Sequence, residues 1–256
     1  MFCRLSAVQA DIISISHPRP TRTIDPPLGG VAREFMNGLD DDGGLSQRWI
    51  DMVPLDYIWR HMNDPLPDWP VPPIIGFHGY RKHINFRDPM AEHGHQLARG
   101  WDAVSLTQFL SYQEWLANDL TGTMLDKMLD GYDVLTVEPF DCSYNQNMRE
   151  DFIRSRSFND WQTFEYAMRL KGEFNFETPF IRPMHFVCRR PVFCRWMRFF
   201  NEMKVLEFVI DSEDAVALDY PRRALGYLAE RMWSLWLDAS GLKIKTLPLM
   251  ICWNVP

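Results

Sequence analysis

The residues best suited to chemistry stand at the end of an apolar run, where Ile74-Ile75-Gly76-Phe77 gives way at once to His78-Gly79-Tyr80-Arg81-Lys82-His83. A strand that stops this way concentrates hydrogen-bond donors and positive charge at one point. Arg81 offers a planar fork that can grip two oxygens of one anion, and Lys82 adds a compact charge beside it. In open α/β sheets ligands lie beyond the carboxyl ends of the strands, so the run predicts an anion site in such a crevice, with a diphosphate as a fitting occupant. A surface turn whose cations are simply solvated would give the same sequence.

A second constellation is Arg223, Tyr227 and Glu230, spaced by four and three within a helical stretch over 222–237. That spacing puts a cation, a phenol and a carboxylate on one face, away from the apolar stripe of Leu225, Leu228, Ala229, Met232 and Trp236. Facing a crevice, Glu230 could take the proton of an attacking hydroxyl while Arg223 holds an anion. Facing water, the same residues are an ordinary charged helix face. A metal site would draw on His78, His83, His93 and His95 with Asp88 or Glu92, but their spacing matches no zinc or non-haem iron pattern. Asp40-Asp41-Asp42 lies between glycines and reads as a turn. There is no nucleophile elbow, no P-loop and no G-x-G-x-x-G.

The elements that must position these groups follow from pattern and punctuation. Residues 11–17 have the β-branched content of a buried first strand, ended by Pro18 and Pro20. Residues 26–44 are rich in Gly, Pro and Asp and predict a loop, with at most a short helix around 31–37. An aromatic helix is expected over 49–62, then a Pro-rich connector over 63–73 and a strand over 74–77. Helices are expected at 105–116 and 121–129, the second capped by Thr121, then a strand at 132–137. A strand at 184–188 leads to a helix with Pro191 in its first turn, whose stripe of Val192, Trp196, Phe199, Met203 and Leu206 faces a core. After the helix over 222–237, a last strand is expected at 247–251. Strands separated by helices predict an α/β fold around a central, mostly parallel sheet.

The 256 residues suit one domain over 1–256, and 46% hydrophobic content is enough for a core that needs no metal or disulfide. A net charge of −7 counts against a nucleic-acid-binding surface, so any anion site must be local. The five scattered cysteines form no C-x-x-C pair and fit a reducing, cytoplasmic setting. No signal-peptide pattern opens the sequence, and no apolar run approaches the ~20 residues a bilayer requires.

Several segments taken in order carry a resemblance. Ile15-Ser16-His17 closes the first strand, and Asp51 through Tyr57-Ile58-Trp59-Arg60-His61 forms a Trp-bearing helix. Ile75-Gly76-Phe77-His78-Gly79-Tyr80-Arg81-Lys82, Phe186-Val187-Cys188-Arg189-Arg190-Pro191-Val192-Phe193 and Arg223 through Glu230-Arg231 follow. This order resembles a bacterial glycosyltransferase family of capsular and exopolysaccharide biosynthesis, long catalogued as a domain of unknown function. Gly79 stands where the family carries His, and Met184 where it carries Asn.

The resemblance implies a GT-A-like fold and sugar transfer from a nucleotide sugar to a hydroxyl of a glycan or lipid-linked glycan. It implies substrate-binding roles for His17, Asp51, His78, Tyr80, Arg81, Lys82 and Arg223, with Glu230 as the base. Many GT-A enzymes carry a metal-binding Asp-x-Asp motif where this chain has Tyr80-Arg81-Lys82, so cations are expected to replace the metal. No cofactor is then expected, a divalent ion being the less favoured arrangement; peripheral membrane association is compatible with a lipid-linked acceptor. Two alternatives stay open: a non-catalytic carbohydrate- or nucleotide-binding protein, and a glycosyltransferase acting on modified DNA bases.

Overall fold

The computed structural model describes residues 10–16, 32–36, 49, 52–60, 72–78, 82–87, 95–98, 101–139, 148–155, 158–178, 181, 184–210 and 224–252. Among these, the chain runs β1 (Ala10–Ser16), β2 (Ala32–Met36), α1 (Met52–Arg60), β3 (Ile74–His78), β4 (Lys82–Ile84), β5 (His95–Ala98) and β6 (Trp101–Ala103). It continues with α2 (Leu106–Asn118), α3 (Gly122–Met128), β7 (Val134–Val137), α4 (Met148–Ser155), α5 (Phe158–Lys171) and β8 (Phe186–Arg189). α6 (Arg190–Met203), α7 (Leu206–Val209), α8 (Ala224–Ala239), β9 (Ile244–Leu247) and β10 (Leu249–Ile251) complete the described elements.

Six of the strands form one sheet in the order β2-β1-β3-β8-β7-β9. β1 pairs parallel with both β2 and β3, and β7 pairs parallel with β9. β8 runs against both of its neighbours, β3 and β7. The sheet is therefore mixed, which corrects the expected mostly parallel one: β8 lies between two strands that run the other way. The short helix expected around 31–37 is also corrected, because that segment is β2, paired along β1 from Ile12↔Ala32 to Ser16↔Met36. Edge pairing outweighs weak local preference there.

The expected last strand divides in two. β9 extends the large sheet beside β7, and after Pro248 the chain enters a second sheet of order β4-β10-β6-β5. In that sheet β10 is antiparallel to β4 and parallel to β6. Asn85 N–H donates to the Pro248 carbonyl (2.8 Å), which ties the junction of the two sheets.

Helix boundaries follow their caps. Ser105 accepts from the Gln108 N–H while Gln108 Oε1 accepts from the Ser105 N–H, a full capping box for α2. Thr121 accepts from Met124 N–H at the start of α3. The turn after α3 reverses through Gly131 at φ 76°, a left-handed backbone that favours glycine.

The core joins α6 and α8 to the large sheet. Trp233 packs on Phe186 (4.8 Å between centroids) and edge-on to Trp196 (5.1 Å). α8 departs from the expected stripe with a polar face. Every residue from Leu225 to Leu237 except half-buried Tyr227 is buried, including Glu230, Arg231 and Ser234. The reason is that α8 is packed on more than one side. Arg231 donates from Nε to the Met148 carbonyl and from Nη1 to that of Tyr227, and its guanidinium lies over Phe152 of α4.

Candidate functional site

The sheet order turns around at β1, which has β2 on one side and β3 on the other. Such a switch point opens a crevice beyond the carboxyl ends of the two central strands. His78 ends β3 at that point, opposite Ser14 of β1. Because β8 is antiparallel with Phe77 opposite Phe186, the residue entering β8, His185, meets His78 at the same rim. β7 and β9 also end there, with Glu138 N–H bonded to the Leu247 carbonyl.

Three imidazoles gather at this rim. The Nδ1 atoms of His78 and His83 are 2.7 Å apart, and the two rings meet edge-on at 4.8 Å. His78 stacks on His185 at 5.8 Å and on Phe86 at 5.7 Å. All three histidines are buried. Burial pushes the His83 and His185 rings down to about 3, and the Lys82 charge lowers His185 further against hydrogen bonds to the Met184 and Lys82 backbone. His78 is held well below the ordinary imidazole range by burial first and by its two histidine neighbours second. At neutral pH the cluster is uncharged and works through hydrogen bonds.

α2 backs the cluster. His83 lies against Phe109 (4.9 Å), and Gln113 brings its side-chain amide nitrogen to 3.5 Å from His83 Nε2. Tyr112 donates its hydroxyl to the Ile84 carbonyl (2.6 Å) and accepts from Phe86 N–H (2.9 Å), which fastens β4 to the helix. Arg87 lies over the Trp115 ring at 4.8 Å.

Of the residues expected from sequence, His78 and Lys82 lie at this rim, Lys82 half-buried at the start of β4. Glu230 sits on α8, whose next turn is anchored to the segment leading into β8. There Ser234 Oγ accepts from Ile181 N–H (3.0 Å) and donates toward the Ile181 and Glu230 carbonyls. His17, Asp51, Tyr80, Arg81 and Arg223 lie outside the described residues. Sequence reasoning missed His185 and Gln113, and it saw His83 as the last member of the strand-end run and as a metal candidate. The signal for His185 was the β3–β8 register, which no local pattern encodes. Among the described residues no group of three or more His, Cys, Asp or Glu is arranged to hold a metal ion.

No family model matches this sequence, and no curated protein does. The fold is similar to the apo structure of WbbM, described as a bifunctional glycosyltransferase, with a TM-score of 0.62 and 16% identity. The likeness covers 96% of this chain and 46% of that one, so this chain spans about half the length of WbbM. What the likeness shows is the fold.

Proposed function

We propose that the chain transfers a glycosyl group from a nucleotide sugar to a hydroxyl of a glycan or lipid-linked glycan. The observation that carries this reading is the glycosyltransferase-like fold with His78 and Lys82 at the strand-end rim of its β1/β3 switch point. Transfer breaks the bond between the anomeric carbon and the diphosphate and forms one to the acceptor oxygen. Arg81 and Lys82 offset the charge that grows on the departing diphosphate, in place of a metal ion. Glu230 takes the acceptor proton. The resemblance in the sequence supports an acceptor in capsular or exopolysaccharide assembly, and the scattered cysteines support a cytoplasmic setting. Among the described residues no helix is long and apolar enough to cross a membrane.

The test is a panel of nucleotide sugars, with and without EDTA, read first as thermal stabilisation and then as turnover. Arg81→Ala should lower donor binding and transfer together by roughly tenfold or more, the loss expected for a charge-assisted contact. Glu230→Gln should bind donor normally and lose transfer. Full turnover in Arg81→Ala removes the diphosphate role, and binding without turnover in the native chain points to a sugar-nucleotide-binding protein.

A further inference from the structure

His78 Nε2 is buried and has no hydrogen-bond partner among the described residues, although the other nitrogen of the ring is engaged. An orphaned polar atom in the interior costs stability, so its retention calls for an explanation. The ring's neighbours supply one. The amide nitrogen of Gln113 can only donate, so the His83 Nε2 facing it accepts and the His83 proton sits on Nδ1. That proton points at His78 Nδ1, 2.7 Å away, which must then accept. A neutral His78 therefore carries its own proton on Nε2.

We propose that Gln113 and His83 are positioning residues that lock His78 in the Nε2–H tautomer, reserving one neutral N–H donor for a phosphate oxygen at the carboxyl end of β3. This rests on the nucleotide-sugar reading for the identity of the phosphate but not for the tautomer. Lys82, near His185 in the same cluster, supplies charge, whereas His78 supplies direction: a single donor fixed by ring stacking against Phe86 and His185. The Nε2 atom is buried, so a phosphate oxygen can reach it only where that burial is relieved.

The experiment is a two-bond proton–nitrogen NMR spectrum of the imidazoles in the full chain, with His78 assigned by its loss in His78→Phe. The expected result is a pyrrole-type Nε2 and a pyridine-type Nδ1 for His78, with Nε2–H shifting on addition of inorganic pyrophosphate. Gln113→Leu should let the histidine pair exchange between its two proton arrangements and draw the two His78 nitrogen shifts together. His78→Phe, which keeps the ring contacts, should weaken pyrophosphate binding by about tenfold. His78→Gln, whose amide can donate from a similar position, should keep most of it. A pyridine-type Nε2, which the reversed amide orientation of Gln113 would produce, overturns the proposal. So does a His78 resonance that pyrophosphate leaves unmoved, or one whose Nε2–H is already bonded to a long-lived buried water. Turnover of a nucleotide sugar with no His78 response would leave the transferase reading standing and remove this one; a His78 response with no turnover of any nucleotide sugar would do the reverse.

Discussion

Three buried imidazoles within one cluster make the protein's response to acid a residue-scale property. His83 and His185 titrate near 3 in the folded chain and near 6.5 once unfolded, and His78 is also held low. Between those values the unfolded chain binds more protons, so the stabilising contribution is complete above the unfolded pKa and shrinks as pH falls toward 3. Each histidine can remove up to about 1.4 kcal/mol per pH unit in that window. Lys82 adds to the penalty by opposing a charge on His185. Denaturant titrations at about pH 7 and about pH 5 should show a marked loss of stability that His185→Gln partly abolishes; equal slopes in the two proteins would contradict the neutral cluster. The sequence displayed His78 and Lys82 openly, because a strand ending in cations is a local pattern. It could not display His185, since only the pairing of Phe77 with Phe186 brings that ring to the rim.

At the scale of elements, the most legible features were those that carry their own punctuation. Ser105 and Thr121 cap α2 and α3 through side-chain bonds to backbone N–H groups, and Pro191 sits in the first turn of α6. Ser105→Ala should therefore cost about 1 kcal/mol, measured as a shift of the unfolding midpoint, and loosen the N-terminal turn of the helix that carries Gln113. β2 reads in sequence as loop with at most a short helix, because its alternation is weak and its partner, β1, is all that makes it a strand. α8 looks amphipathic in sequence, although it is buried nearly all round. Its Glu230, Arg231 and Ser234 are polar in sequence, yet Arg231 and Ser234 are accommodated by the carbonyls of Met148, Tyr227 and Ile181.

Across the whole molecule, distant segments are held by a few polar fastenings laid over the aromatic core. Asp56 on α1 is buried and receives both Arg60, one turn on, and Lys204 at the end of α6. Asp56→Asn would leave two cations facing a neutral amide, and because both cations are partly exposed the loss should be about 2 kcal/mol, less than for a fully buried pair. A thermal or urea midpoint unchanged by that substitution would show the fastening to be idle. The α/β class was readable from strands alternating with helices, but the mixed sheet was not, because the direction of β8 depends on which neighbours it joins. The junction of the two sheets has a mechanical consequence. Here the backbone steps from one sheet to the other across a single residue, Pro248, and Asn85 clips the same spot from β4's side. Asn85 lies two residues after His83, so the stitch that joins the sheets also pins the segment that carries one ring of the histidine cluster.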